Sequence, residues 1–346
     1  MSNIVDRDKQ TKGYQLIMLK TLLISLTLTI ISYASDRPPT LTIYTYDAFA
    51  ASWGAAPKIK EAFEKEHNCT VKFVPLSSSI GALRKIQLEG KRTKADILMG
   101  LDTSIAQMAN QTKLFLPHEV NSSDQKLPVA YHDKNFLAFD YSYFAFVYDS
   151  SRLKTPPTSF ESLVKMPKDF KIVIQDPRSS TAGLGLLLWI KAIYKERSAD
   201  YWRRLSPHIL TITKGWSEAY GLFLKGEADM VLSFTTSPAY HIIDENRTNY
   251  KSAHFKEGHY TQIEVAGILK SSKNSALAKT FLAFTQSQTF ANIIPTGNWA
   301  YPVIESELPK AFKMLEIPKK SFLMEGDEVE KHRKTFIDEW LQALKR

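Results

Sequence analysis

Residues 40–76 read TLTIYTYDAFAASWGAAPKIKEAFEKEHNCTVKFVPL, and this stretch decides the fold class. The opening TLTIYTY is rich in β-branched and aromatic residues, which is typical of a strand, whereas APKIKEAFEKEH spaces its apolar residues as a helix does. TVKFVPL then returns to the strand pattern. A strand, a helix and a strand in this order predict an α/β unit with a largely parallel sheet.

The same alternation continues toward the C-terminus. SIGALRKIQLEGK predicts a helix and ADILMGL a buried strand, and strand and helix patterns alternate again from IVIQDPRSSTAGLGLLLWIKAIYKE to ADMVLSF. Two β-rich segments, residues 139–148 and 262–268, connect the halves without a Gly/Ser linker. We therefore expect two α/β lobes, residues 35–140 with 267–346 and residues 141–266, that close on a ligand by hinge bending.

Composition and charge limit the possible partners. A chain of 346 residues with 44% hydrophobic and 23% charged residues is long enough for two globular lobes. Its formal charge is +9, but the basic residues alternate with acidic ones, as in KIKEAFEKEH, and form no arginine-rich block. This pattern favours a solvated basic surface over a nucleic-acid interface.

The N-terminal residues 1–34 have the features of a secretory signal. The apolar run LLISLTLTII at residues 22–31 precedes SYA, which predicts cleavage after Ala34. A membrane-spanning helix is the alternative, but it needs roughly 20 apolar residues. Translation can start at Met1 or Met18, and Cys69, the only cysteine, excludes both an intramolecular disulfide and a lipid anchor at the cleavage point. We expect a soluble protein outside the cytoplasm.

The residues that follow the predicted strands are the candidates for a ligand site, because ligands of open α/β sheets bind beyond the carboxyl ends of strands. They are Tyr46, Asp47, Ser77, Ser78, Ser79, Asp102, Arg178, Ser179, Ser180, Thr181, Gly215, Trp216, Ser217 and residues 234–240, FTTSPAY. Aromatic and hydroxyl side chains predominate, which indicates a planar, partly polar small molecule held by stacking and hydrogen bonds.

Two of these segments also open helices. Ser180 or Thr181 can cap the helix that begins near Ala182, and Ser217 can cap the helix that runs to Leu224. The free N–H groups of such helix starts favour an anionic group such as a phosphate. Each hydroxyl alone is equally compatible with a plain cap or turn.

The sequence indicates neither an enzyme nor a cofactor. G-x-S-x-G, H-E-x-x-H, Walker A and G-x-G-x-x-G motifs are missing, and the GLG at residues 183–185 lacks the third glycine. A ferric-ion site built from Tyr240 and His241 with Asp47 or Glu264 is an alternative at this stage.

Six segments closely resemble bacterial periplasmic thiamine-binding proteins, the substrate-binding subunits of thiamine ABC importers. They are TLTIYTYDAFAASWG, KADILMGLD, AFDYSYFAFVYD, IQDPRSSTAGLGLLLW, TKGWSEAYGLFLKGEADMVLSFTTSPAYH and PTGNWAYPV. The resemblance implies a two-lobed periplasmic binding protein fold of type II, shared with ferric-ion binders. It also implies a protein that captures thiamine, thiamine phosphate and thiamine diphosphate in the periplasm and delivers them to a membrane permease.

The resemblance assigns roles to particular residues. Ring stacking falls on Tyr46, Tyr240 and Trp299, with Trp216 lining the same pocket. Polar contacts fall on Ser78, Ser79, Ser180, Phe234, Thr235, Thr236 and Ser237. The family commonly has Tyr at the position of Phe234, and an acidic or glycine pair at Ser78 and Ser79, so ligand affinity can differ here. Because Tyr and Trp faces stabilise a cation by about 0.5–2 kcal/mol each, we expect a thiazolium site that does not require carboxylates.

Overall fold

Twelve strands form one mixed sheet in the computed structural model, which describes residues 38–345. The strands are β1 (Thr40–Tyr46), β2 (Thr70–Leu76), β3 (Ile97–Asp102), β4 (Phe115–Leu116), β5 (Phe136–Asp149), β6 (Ile172–Gln175), β7 (Ile209–Thr213), β8 (Met230–Phe234), β9 (Tyr250–Ala253), β10 (His259–Leu269), β11 (Tyr301–Pro302) and β12 (Ser321–Phe322). The predicted signal region, residues 1–34, lies outside the described residues.

Helices cover both faces of this sheet. They are α1 (Asp47–Ala50), α2 (Ala55–Glu66), α3 (Ser79–Glu89), α4 (Thr103–Gln111), α5 (Phe160–Leu163), α6 (Thr181–Tyr194), α7 (Ser198–Leu205), α8 (Trp216–Leu224), α9 (Ser237–Ile243), α10 (Ser275–Phe284), α11 (Gln288–Gly297) and α12 (Gly326–Leu344). Within residues 38–345, no helix combines the length and the apolar character that a membrane crossing requires.

The sheet has parallel outer parts and an antiparallel centre. Its main order is β2-β1-β3-β10-β5-β8-β6-β7. Strand β1 pairs in parallel with β2 and β3, and β6 pairs in parallel with β7 and β8. Strands β10 and β5 run antiparallel to each other. Strand β10 is also antiparallel to β3, and β5 is antiparallel to β8. The α/β prediction is confirmed, with two parallel halves joined by a central antiparallel pair.

Strand β5 belongs to both halves of the sheet. Residues up to Tyr143 pair with β10, and from Phe144 onward the strand pairs with β8. A single strand of fourteen residues thus changes its partner near the predicted crossing point between lobes. Strand β10 lies beside it in the first half, so the two predicted connecting segments are neighbours in the sheet.

The C-terminal helix α12 contacts both halves. It packs against α4 of the first half and against α7 of the second. The Trp202 and Trp340 rings lie 6.3 Å apart, and Lys191 Nζ donates to Glu339 Oε2 at 2.8 Å. Helix α12, which the sequence analysis placed in the first lobe, therefore contacts helices of both halves.

Hydroxyl and carboxyl caps start several helices directly after strands. Ser78 accepts a hydrogen bond from the Gly81 amide at 3.0 Å and so caps α3. Ser180 caps α6 by accepting from the Gly183 amide at 3.5 Å, as predicted. Asp102 caps α4. These helix N-termini all lie at the carboxyl ends of strands, where the ligand was expected.

One local expectation was wrong. Ser217 does not cap α8, because the helix begins at Trp216 after Gly215 and the Ser217 hydroxyl instead donates to Asp47 Oδ1 at 3.2 Å. Pro238 lies in the first turn of α9, where proline fits since helix starts leave amides without partners.

Candidate ligand-binding site

A cavity of about 310 Å³ lies where the two halves of the sheet meet. The predicted site residues that line it are Tyr46, Ser78, Ser79, Ser180, Trp216, Phe234, Ser237, Tyr240 and Trp299. Strand ends and helix starts from both halves supply these side chains, so residues far apart in the sequence converge on one space. This is the size and placement expected of a small-molecule site.

Thr235 and Thr236 do not line this cavity, which corrects their predicted contact with ligand. Both side chains are buried. The Thr235 amide donates to the Tyr143 carbonyl at 2.9 Å, and the hydroxyls of Thr236 and Ser142 lie 2.9 Å apart. The two threonines therefore tie the end of β8 to β5 behind the cavity wall.

Aromatic side chains form one side of the cavity. The Tyr240 and Trp299 rings meet edge to face with centroids 5.3 Å apart, while Trp53 lies 6.5 Å from Tyr240. Trp216 stacks on Tyr220 at 4.7 Å, and its indole N–H donates to Ser233 Oγ at 2.8 Å. This bond fixes the indole plane, so Trp216 presents a face of fixed orientation to a ligand.

Trp53 and Tyr220 also line the cavity but were not identified from the sequence. Trp53 remains 46% exposed and sits in an SWG segment that carries no strand or helix signal. Tyr220 is buried, and burial raises its pKa. It lies one helical turn after Trp216, so the spacing on α8 was an available signal for it.

Helix N-termini form a second side of the cavity. The first turns of α3, α6 and α8 contribute Ser79, Thr181 and Ser217 to its lining. Amides in a first helical turn have no partner within the helix, and the helix dipole places partial positive charge there. This wall is suited to an anionic or strongly polar group.

The floor of the cavity carries two carboxyl groups that the sequence analysis did not require. Asp140 and Ser142 on β5 face Glu264 and Gln262 on β10 in register, and all four line the cavity. Burial raises the pKa of Asp140 to about 7. Burial, and then the nearby Asp140 carboxyl, raise the pKa of Glu264 well above its usual value.

Asn298 and Tyr46 form hydrogen bonds with these carboxyl groups. Asn298 Nδ2 lies 2.6 Å from Asp140 Oδ2 and 2.9 Å from Glu264 Oε2. The Tyr46 hydroxyl lies 2.9 Å from the same Glu264 oxygen and 2.8 Å from Asn298 Oδ1. Polar residues at alternate positions of two otherwise apolar strands were the available signal for this floor.

Contacts between the two halves narrow the opening of the cavity. Besides the Asp47–Ser217 bond, Arg84 Nη2 donates to the Arg178 carbonyl at 3.0 Å. A Cβ atom at Gly215 would lie 2.7 Å from the Ser77 carbonyl oxygen, so only glycine fits at this approach without a shift. The structure thus has the halves drawn together around the cavity.

The residues of the ferric-ion alternative are not assembled. His241 is buried behind the wall, with Nε2 2.8 Å from the Tyr220 hydroxyl and Nδ1 2.7 Å from Glu245 Oε2. Both ring nitrogens therefore already have hydrogen-bond partners. Across residues 38–345, no cluster of three or more His, Cys, Asp or Glu side chains is placed to hold a metal ion.

Comparison with known proteins agrees with this geometry. The profile of the bacterial extracellular solute-binding protein family matches residues 49–289. The chain belongs to this family. The thiamine-binding periplasmic protein of Salmonella typhimurium is 48% identical to this solute-binding protein over 308 residues, which are 89% of this chain and 94% of the relative.

Solved structures extend the comparison. A periplasmic thiamin binding protein superimposes on this solute-binding protein with a TM-score of 0.88 and 47% identity, covering 90% of this chain and 98% of the other. A ferric binding protein from Campylobacter jejuni superimposes with a TM-score of 0.73 at 19% identity, covering 88% and 99%. The latter shares the fold alone. The two-lobed fold predicted from the sequence is confirmed.

Proposed function

We propose that this solute-binding protein captures thiamine in the periplasm and passes it, unchanged, to the membrane permease of an ABC importer. The observation that carries the proposal is the cavity between the halves, where Tyr and Trp faces, helix N-termini and a carboxyl-bearing floor surround a space of about 310 Å³. The 48% identical relative named for thiamine binding supports the choice of ligand.

The walls of the cavity match the parts of thiamine. Thiamine has a neutral aminopyrimidine ring and a cationic thiazolium ring that carries a hydroxyethyl arm. Tyr46, Tyr240 and Trp299 are the proposed ring contacts, and Trp216 lines the same space. A cation beside such faces is stabilised by about 0.5–2 kcal/mol per ring as it leaves water.

The phosphate esters of thiamine are proposed as further ligands. The hydroxyethyl arm or its phosphates would lie at the helix N-termini, within reach of Ser78, Ser79 and Ser180. Phe234 and Ser237 border the same wall. Because Phe234 lacks a hydroxyl, and Ser78 and Ser79 lack charge, the anion would depend mainly on backbone donors.

Capture is proposed to proceed by hinge closure. The two lobes would be residues 35–140 with 267–346 and residues 141–266, and β5 and β10 would bend where they pass between them. The hydrogen bond between Asp47 and Ser217 connects residues of the two proposed lobes and would stabilise the closed form. A closed, loaded protein then presents both lobes to the permease.

Calorimetric titration with thiamine, thiamine phosphate and thiamine diphosphate tests the ligand proposal. We expect saturable binding of thiamine, and Tyr240→Ala should weaken all three ligands because they share the rings. Ser180→Ala should weaken the diphosphate more than thiamine, through a lost hydroxyl bond of about 1–3 kcal/mol to a charged group.

A matched control separates these effects from general damage to the fold. Leu88 is 84% exposed and does not line the cavity, so Leu88→Ala should bind all three ligands as the unmodified protein does. The absence of a binding isotherm for thiamine with the unmodified, folded protein would refute the proposed function. Equal effects of Ser180→Ala on thiamine and its diphosphate would refute only the phosphate assignment.

A further inference from the structure

The floor of the cavity is built from two cross-strand pairs, and we call Asp140, Ser142, Gln262 and Glu264 the polar floor. Ser142 opposes Gln262 and Asp140 opposes Glu264 in the β5–β10 register. Side chains two residues apart on a strand point to the same face, so all four project toward the same space. The walls described above lie around this floor.

Gln262 has hydrogen-bonding capacity that the protein does not use. Its side chain is 6% exposed and lines the cavity, and within residues 38–345 its carboxamide makes no hydrogen bond. Ser142, its cross-strand partner, is already bonded to Thr236. Because the carboxamide lines the cavity, it can pair with a ligand that offers both a donor and an acceptor.

The hydrogen bonds around the carboxyl pair favour a proton on Glu264. The Tyr46 hydroxyl has a single hydrogen but two close neighbours, Glu264 Oε2 and Asn298 Oδ1. A proton on Glu264 satisfies both contacts, since Glu264 then donates to the Tyr46 oxygen and Tyr46 donates to Asn298. Asp140 meanwhile accepts from Asn298. The raised pKa of Glu264 agrees with this arrangement.

Among residues 38–345, no basic side chain neutralises the charge of this carboxyl pair. The titratable groups that face the pair are Tyr46 from β1 and Asp102 from the end of β3, and the described residues contain no salt bridge to Asp140 or Glu264. Burial raises the pKa of Asp140 to about 7, so above neutral pH this carboxyl is a buried negative charge beside the cavity.

The helix N-termini and the polar floor differ in the sign of their charge, and this difference orients a ligand in the cavity. A phosphate is favoured at the helix N-termini and repelled by Asp140, because like charges in a buried site repel strongly. The end of the ligand without phosphate therefore faces the polar floor. If the ligand is thiamine, that end is the aminopyrimidine.

We propose that the polar floor recognises the aminopyrimidine ring of the ligand. The Gln262 carboxamide forms hydrogen bonds with the amino group and the adjacent ring nitrogen of this ring, and Asp140 supplies the counter-charge for the cationic ligand. A carboxamide makes the same bidentate pair with the amino group and neighbouring ring nitrogen of adenine. This inference rests on the proposed thiamine function and names the specificity-determining residues of the same site.

The test compares thiamine with 3-benzyl-5-(2-hydroxyethyl)-4-methylthiazolium. This probe keeps the thiazolium cation, the hydroxyethyl arm and an aromatic ring, but its benzyl ring lacks the amino group and ring nitrogens. Calorimetric titrations at pH 8 with the unmodified protein should show thiamine binding at least ten times more tightly than the probe.

Two variants then separate hydrogen bonding from charge. Gln262→Leu should weaken thiamine about ten- to hundredfold, which corresponds to the loss of buried hydrogen bonds, and should leave the probe unchanged or bound more tightly. Asp140→Asn should weaken both cations by a similar factor. Tyr240→Ala, which removes a ring contact, is the matched control and should also weaken both.

The outcomes distinguish this inference from the proposed function. Failure of the unmodified protein to bind thiamine refutes the proposed function itself. If thiamine binds tightly but Gln262→Leu affects thiamine and the probe equally, recognition of the aminopyrimidine by Gln262 is refuted. Unchanged affinities in Asp140→Asn refute the counter-charge. Circular dichroism of each variant establishes that it is folded, and Gln262→Glu provides a second variant if the leucine disrupts the floor.

Discussion

Replacing Asp140 by Asn should flatten the pH dependence of the free energy of unfolding. Burial raises the pKa of Asp140 from 3.8 to about 7, so between these values the folded protein holds a proton that the unfolded chain has released. The stabilisation that this proton provides is fully present below the pKa of Asp140 in the unfolded chain. It is lost as the pH rises through the pKa of Asp140 in the folded protein. One such proton changes the free energy of unfolding by about 1.4 kcal/mol per pH unit.

The substitution leaves the local contacts largely intact. Asn298 Nδ2 lies 2.6 Å from Asp140 Oδ2, and the side-chain oxygen of the substituted Asn accepts the same hydrogen bond. Between about pH 5 and pH 6, the free energy of unfolding of both proteins should fall as the pH rises. For the variant, this fall should be smaller by about 1 kcal/mol per pH unit. Because the Asp140 carboxyl also raises the pKa of Glu264, the difference between the two proteins reports Asp140 together with its effect on Glu264.

Urea unfolding of the ligand-free proteins at several pH values measures these slopes. Ser142→Ala is the matched control, because Ser142 lies on the same face of β5 and bonds to Thr236 but does not titrate. This variant should lower stability at every pH and keep the slope. Parallel curves for Asp140→Asn and the unmodified protein would show that this carboxyl does not carry the expected proton, and the reasoning would then be wrong.

Three further outcomes are expected. Thiamine should quench tryptophan fluorescence through Trp216 and Trp299, and an unchanged quenching amplitude and affinity in the double Phe variant would remove both residues from the site. Gly215→Ala should weaken thiamine about tenfold, since the added Cβ meets the Ser77 carbonyl at 2.7 Å in the closed form; unchanged affinity in a titration would contradict this. Cys69→Ser should bind thiamine normally, because Cys69 does not line the cavity, and a tenfold loss would contradict this expectation.

Local patterns predicted most of the secondary structure. TLTIYTY and TVKFVPL were expected as strands, and both are strands over their full length. The helix-like stretch from Ser275 to Ile294 is two helices, because Ser287 accepts from the Phe290 amide and starts a new one. Packing of α12 against both halves was not predictable, since an amphipathic pattern defines a buried face but not its partners.

The floor of the site depended on information that local patterns do not contain. Asp140 and Glu264 are far apart in the sequence and meet only through the β5–β10 register. The signals for hydroxyl and aromatic residues at strand ends were local, so most of those residues were identified. Thr235 and Thr236 had the same local signal, but they form the turn between β8 and α9, and their contacts with Tyr143 and Ser142 of β5 depend on tertiary packing.

Trp299 shows how the site constrains the backbone. Its φ of 55° lies in the left-handed region, which is unfavourable by roughly 1–2 kcal/mol for residues other than glycine. Trp299 follows Asn298, the C-cap of α11, and its amide donates to the Ile294 carbonyl at 3.1 Å, so a glycine at this helix end would remove the strain. A glycine, however, has no ring to place against Tyr240. The strained conformation thus positions an indole in the cavity, and strained backbone of this kind is concentrated at functional sites.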